Sequence, residues 1–389
     1  MGCALLDEKG AERLLEKLER LSKLGDTDTA TFIAKELEGF YNHKLKDFDP
    51  KSMDIAETRK RLEIIKKIGD VNMMVGRIDK GREFYDKVLA LAPASAVAAS
   101  VHRRLAWLSI RDSDWKAAVE GYRRALEISQ KCNDELGVGK ATRGLGYISW
   151  RKGDFEEAFE RFTKATKVFE SQKAQVELGM SLTDIGNIHS EKGDVDTAIS
   201  FYEKALVALS KSHNAQELGR VNNNIGNNLM IKGEYQKAIP YLIEEIKIGK
   251  KYNDKVLVAM GQMHLAECHA RLGRLDEAKD LCQQSLKAFK EAGYKLGVTM
   301  ITFPIGLTHW FSGEHEKASK MMEDGIAETE RLGLLPLVAE YCLDYGEILK
   351  AAKDDVRARK QLRKALTLFT KMKADGYVKR VEALLKEIG

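Results

Sequence analysis

Proline and cysteine are both scarce in this chain, five of each in 389 residues. So few prolines leave long stretches free of backbone interruption, which suits helices. Cys3, Cys132, Cys268, Cys282 and Cys342 are odd in number and irregularly spaced, so no disulfide framework is expected and a reducing, cytoplasmic setting is the default. No apolar run reaches the roughly 18 residues of a membrane span, so no membrane partner is expected. The opening Met1-Gly2-Cys3-Ala4-Leu5-Leu6 lacks the charged-then-apolar layout of a signal peptide, and Leu6 stands where a myristoylation signal wants Ser or Thr. A formal charge of +5 is small for this length and does not by itself call for nucleic acid. Missing too are a phosphate-binding loop and a dinucleotide fingerprint. His264 and Cys268 lie one turn apart without a third or fourth ligand in sight, so no metal, cofactor or catalytic group is expected. His189, His269 and His309 recur at one repeat position and read as packing residues rather than general bases.

What the sequence has in abundance is periodicity. Glycines stand 40 apart at Gly153, Gly193, Gly233, Gly273 and Gly313, and the register extends to Ser113 and Lys353. Seven residues before each anchor comes a small residue: Ala106, Gly146, Gly186, Gly226, Ala266, Gly306, Gly346. Five after it comes alanine, from Ala118 and Ala158 through to Ala358. Twelve after come Ala125, Ala165, Ala205, Glu245, Ser285, Gly325 and Ala365. Two antiparallel helices approach closely only where the crossing side chains are small. Larger groups such as Leu145, Ile185, Tyr122 and Phe162 fill the space alongside. The anchor glycine ends the first helix in a left-handed conformation, and Asp154, Asp194 or Glu234 then opens the second. Each unit is a hairpin that buries its apolar face only by stacking on neighbours.

This small–alanine–aromatic–alanine spacing resembles the tetratricopeptide repeat. An earlier unit fits the 34-residue length, with Gly69, Gly76, Gly81, Tyr85 and Pro93, and Gly25 and Ala30 suggest a degenerate one before it. The six extra residues of the 40-residue units fall between hairpins, around Asn133–Gly137, and are expected to lengthen helices. With Ile185-Gly186-Asn187 and Asn224-Ile225-Gly226-Asn227, the 40-residue form is similar to Leu-Gly-Asn-repeat polarity adaptors and to kinesin light chains. The resemblance implies an all-α fold, a right-handed superhelical solenoid of stacked antiparallel hairpins. Residues 1–60 would form a helical region, broken near Asp49-Pro50, with 61–373 holding about eight repeats and 374–389 a capping helix. With no low-complexity linker, one continuous solenoid is the expectation.

In such a stack the first helix of each hairpin lines the inner face, at positions thirteen, ten, nine and six before the anchor. Early units place Arg103, Arg104 and Trp107 there, then Lys140, Arg143 and Tyr147, with Arg151 and Trp150 a turn further on. The segments 94–111 and 136–153 contain no Asp or Glu, whereas a solvated charged face ordinarily mixes both signs. Middle units place Met180, Thr183, Asp184 and Asn187, then Arg220, Asn223, Asn224 and Asn227. An amide carries a donor and an acceptor and can hold an extended peptide backbone, whereas exposed Asn is a poor helix former with no structural return. Late units are apolar, with Met260, Met263 and His264, then Met300, Phe303 and Leu307, and either a groove or core packing explains them. The clamp for a C-terminal carboxylate in chaperone-binding relatives is not matched, since Thr183, Met260 and His264 stand where Lys or Arg is required.

The function expected is a scaffold or adaptor holding an extended, acidic peptide with an apolar anchor. The peptide-binding residues would be Arg103, Arg104, Trp107, Lys140, Arg143, Tyr147, Arg151, Asn187, Arg220, Asn223, Asn224 and Asn227. Two copies could pair through end hairpins. The alternatives are a peptide-responsive sensor acting on a separate effector chain, and an RNA-binding repeat protein that stacks bases on Trp107, Tyr147 and Trp150.

Overall fold

Small residues at helix crossings, and a left-handed stop after most of the described helices, produce the architecture seen in the computed structural model. It describes residues 7–24, 27–44, 54–210 and 214–389. The readings made at Met1–Leu6, Gly25 and Asp49-Pro50 lie outside these residues. The described residues form twenty helices and no strand. None of these helices is long and apolar enough to cross a membrane.

The chain divides into two compact units, 1–174 and 175–389. An uninterrupted repeat register does not announce such a division. The first unit stacks four helix pairs: α1 (Glu8–Leu24) with α2 (Thr27–Lys44), α3 (Ile55–Met74) with α4 (Ile78–Leu91), α5 (Ala96–Arg111) with α6 (Trp115–Lys131), and α7 (Glu135–Arg151) with α8 (Phe155–Ser171). The second unit begins with α9 (Gln175–Glu191) and α10 (Val195–Leu209), α11 (Ala215–Ile231) and α12 (Tyr235–Tyr252), and α13 (Lys255–Arg271) and α14 (Leu275–Glu291). It continues with the broken first helix α15 (Lys295–Met300) and α16 (Thr302–Phe311) beside α17 (His315–Arg331). Then come α18 (Leu335–Ala351), α19 (Asp355–Lys371) and the closing α20 (Asp375–Ile388).

The 40-residue repeat is in fact two similar 20-residue steps. The anchor glycines have positive φ, +81° at Gly153 for example, and so do Ser113 and Lys353. Half a repeat later the same left-handed stop falls on Asn133, Lys173, Asn253, Gly293, Gly333 and Lys373. At each stop the next amide reaches back five residues in the helix-ending pattern, as Asp154 N to Ser149 O (2.9 Å) and Asp134 N to Ser129 O (2.8 Å). The six residues beyond the 34-residue unit therefore extend helices to 17 residues, as in α7 and α8, and make no loop. Asp114, Asp134 and Asp154 accept the amide three residues on, capping α6, α7 and α8.

The crossings are tight. A Cβ on Gly144 would stand 2.2 Å from the Tyr122 ring, and one on Gly186 would stand 2.5 Å from Tyr202. Pro304 has no N–H to offer the Met300 carbonyl, and the first helix breaks there into α15 and α16. The Tyr341 hydroxyl donates to that carbonyl instead, at 3.1 Å.

In the second unit α20 does more than cover α19. The Gly376 amide donates to the Lys192 carbonyl (2.8 Å) at the α9–α10 turn, and Arg380 Nη1 donates to Ile231 O (2.8 Å) at the end of α11. A Cβ on Gly193 would stand 2.6 Å from the Tyr377 amide nitrogen, so glycine is demanded twice there, by its φ of +78° and by this approach. The last helix of the unit thus touches its first hairpins.

Candidate functional site

The first helices α5 and α7 lie side by side in the first unit and bring together the aromatic and basic residues picked from the sequence. Trp107, 46% exposed, stands 5.5 Å from the Tyr147 ring, and Tyr147 stands 5.4 Å from Trp150 edge-on. Arg151 lies 6.0 Å over the Trp150 ring. The row is continuous because the 40-residue spacing puts Trp107 and Tyr147 at the same place on adjacent helices.

The cations around this row differ in their surroundings. Arg104 is exposed and approaches Asp70 of α3 at 3.5 Å, so the acid missing from its own helix is supplied by a neighbour. The Tyr85 hydroxyl (2.6 Å) and Lys66 (2.9 Å) already hold that Asp70 carboxylate. Arg103 is half-buried, and its Nη1 is shut away from solvent with no hydrogen-bond partner. Burial lowers its pKa, and the nearby charges of Asp134 and Glu63 only partly oppose that shift. Trp150 Nε1 is buried and unpartnered in the same way. Lys140 and Arg143 are half-buried, and Arg151 is exposed. Burial pushes the Tyr122 hydroxyl up to about 12, opposed by the nearby charges of Arg143 and Arg103.

The second unit holds the predicted amide stripe, and there the structural return judged absent from the sequence is present. Asn187 Oδ1 accepts the Tyr202 hydroxyl (2.9 Å) and Asn224 Nδ2 (3.0 Å), tying one hairpin to the next. Asn223 Nδ2 donates to the Glu245 carboxyl oxygens (3.2 and 3.1 Å) and lies 3.0 Å from His264 Nδ1. Glu245 sits at the position that is small in other repeats, fully buried, with its pKa pushed up to about 8 by desolvation despite the bond from Asn223. Gly261 opposite leaves room for it, since a Cβ there would be 3.2 Å from the carboxyl oxygen. Arg220 is exposed and faces Glu217 at 3.4 Å. Part of this predicted site is thus committed inside the protein.

The four inner positions are not equally open. Thr183, Phe303 and Leu307 are wholly buried; Thr183 donates to the Gly179 carbonyl (2.8 Å), and Phe303 stacks on Tyr341 at 4.3 Å. Phe303 and Leu307 are core, which settles the reading left open for them. Their neighbours Met260, Met263 and Met300 instead line a cavity of about 240 Å³, together with Asn227, Glu267, Glu340 and Asp344. His189 stacks on Phe201 and lies 3.0 Å from Asp194, and His309 lies 3.1 Å from Glu314.

The carboxyl groups of the cavity were missed. The same inner register counted back from Lys353 gives Glu340, Leu343, Asp344 and Glu347, and counted back from Gly273 it reaches Glu267. The signal was there in the two hairpins where it was not followed through.

A family profile for the tetratricopeptide repeat matches residues 138–211, 217–291 and 255–327. These segments are tetratricopeptide repeats. No curated protein matches the sequence. Among solved structures the repeat protein is similar to aspartyl phosphate phosphatase F from Bacillus subtilis, at TM-score 0.60 and 14% identity over 95% of this chain and 96% of that one. It is also similar to a Rap protein complexed with competence and sporulation factor, at TM-score 0.54 and 12% identity, covering 98% of each chain. A third is a signal transduction ATPase with a tetratricopeptide repeat sensor from Pyrococcus horikoshii, at TM-score 0.58 and 16% identity over 91% of this chain and 52% of that one. At these identities the likeness is one of fold.

Proposed function

We propose that this tetratricopeptide-repeat protein is a protein-interaction scaffold that holds an extended acidic peptide on the α5–α7 face, with an apolar residue of the peptide on the aromatic row. One observation carries the reading: Arg103 presents a buried guanidinium nitrogen with no partner, beside an aromatic row on α5 and α7 where residues 96–111 and 136–151 include no acid. Burying a charge is costly unless it is paired, and a carboxylate meets an arginine through two parallel hydrogen bonds. Trp107 and Tyr147 supply rigid contact area of the kind that anchors partners. Lys140 and Arg151 extend the positive charge, while Asn227 and Arg220 remain candidates for backbone contact on the second unit.

A panel of labelled, capped decapeptides graded from basic to acidic, each with one leucine, tests this by fluorescence polarisation. Acidic members should bind best. Arg103→Glu with Arg143→Glu should weaken them by about a hundredfold, roughly 3 kcal/mol, with helicity and melting unchanged. Equal binding across the panel, or by the double variant, would sink the assignment.

The sensor reading has support of its own. One fold-alike was crystallised with competence and sporulation factor, and another carries its repeats as a sensor. Under that reading the bound peptide changes contact with a separate effector chain. RNA would instead be marked by retention on the aromatic row with a steep salt slope.

A further inference from the structure

The cavity of the second unit differs from the α5–α7 face in sign and in lining. Glu267 comes from α13, Glu340 and Asp344 from α18, and methionines 260 and 300 with Pro304 make the apolar wall. Two arginines border this group of acids, and both are already engaged. Arg271, 10% exposed, is bonded to Asp344 and stands 3.9 Å from Glu267. Arg380 of α20 pairs with Glu347 (2.7 Å) and donates to the Ile231 carbonyl. Glu340 has neither; the charges acting on it are Glu191 and Asp344, both negative. Carboxyl groups therefore outnumber cations in a partly enclosed, apolar-walled space.

We propose that this cavity is a socket for the side chain of an arginine carried by an apolar stretch of a partner protein. Its volume falls below the roughly 300–1,000 Å³ of sites that engulf a whole small molecule, so it suits a side chain. A planar guanidinium bridges two carboxyl groups and is more weakly hydrated than an ammonium, and its stem packs on methionine. A metal ion is a poorer fit, because no group of three or more His, Cys, Asp or Glu among the described residues could hold one. The site is separate from the α5–α7 face, and each can fail without the other.

The chemistry gives the socket a pH dependence. Burial, with Glu191 and Asp344 nearby, pushes Glu340 up to about 7, and burial raises Glu267 as well. Arginine stays charged throughout, so its binding strengthens as these groups ionise between neutral and mildly alkaline pH. Among the groups that face them, His264 is held neutral by burial, with its pKa near 4. Tyr235, Tyr341 and Tyr377 are pushed upward by burial and stay neutral, and Glu347, also raised by burial, is tied to Arg380.

The experiment uses the full chain and two fluorescein-labelled capped heptapeptides of leucine and methionine. One has a central arginine and the other citrulline, which has nearly the same shape and no charge. Polarisation should show the arginine peptide bound at least about tenfold tighter, with the preference growing from about pH 6.5 to about pH 8. Glu340→Gln should abolish the preference. Should Glu340→Gln fail to fold by circular dichroism, Met260→Lys, which places a cation in the socket, should exclude the arginine peptide. Equal binding of the two peptides overturns the proposal, as does binding of neither at millimolar concentration, or a preference that survives either folded variant. Spermidine that displaces the peptide more potently than unlabelled peptide does would overturn it in favour of a free polyamine.

Discussion

The first helices of the two units occupy the same repeat positions and carry opposite chemistry. In the first unit they present Arg103, Lys140 and Arg143 around an aromatic row; in the second they present Glu267, Glu340 and Asp344 around methionines. The difference teaches that the repeat fixes where a side chain stands and says nothing about what it is. Packing needs only the Gly–Ala crossings and the left-handed stops, so the inner stripe is free to vary. It teaches also that charge on such a stripe is decided by neighbours. Arg104 meets Asp70 from the previous hairpin, while Glu340 meets only more acid.

The comparison is broken most severely at one pair of glycines. Gly153 and Gly193 share a repeat position and a positive φ, yet a Cβ on Gly153 meets nothing within 4 Å, whereas one on Gly193 strikes the backbone of α20. Gly153→Ala should cost about 1 kcal/mol, for left-handed strain alone. Gly193→Ala should cost about 3 kcal/mol or more, because backbone must move as well. Urea denaturation followed by circular dichroism distinguishes them, and equal losses would mean that the α20 contact contributes little. Next in size is a pH effect confined to the second unit. The folded Glu245 has a pKa near 8, above that of an unfolded glutamate, so the stability its protonation contributes is full below about pH 4 and is lost as pH rises from there through 8. Glu245→Gln should melt about 6 °C above the parent near pH 8.5 and within about 2 °C of it near pH 5. A constant gap across that range would show the carboxyl to be ionised in the fold. The smallest effect is expected at Tyr341→Phe, which leaves the Met300 carbonyl without its donor and should cost about 1–2 kcal/mol. A neutral result in thermal melts would mean that water replaces the hydroxyl.

The hairpins were legible because close helix crossings accept only small residues, and those residues recur in register. So was the aromatic row, since 40-residue spacing places Trp107 beside Tyr147. The asparagine bolts were not. Asn223 finds its acceptor in Glu245, and an inward glutamate at a normally small position makes sense only once Gly261 is seen facing it. The socket was half legible: counting back from Lys353 and Gly273 yields its acids, but their convergence with α20 depends on how the second unit winds.

That winding has a kinetic consequence. In an open repeat array every contact is local, so hairpins can add and fray one at a time. Here Arg380 bonds a carbonyl 149 residues earlier. The α9–α12 hairpins must therefore wait, during synthesis, for nearly the whole second unit before their last partner arrives. Loop closure over such a span is slow, and once made it binds the unit into a single cooperative block that does not peel from its end.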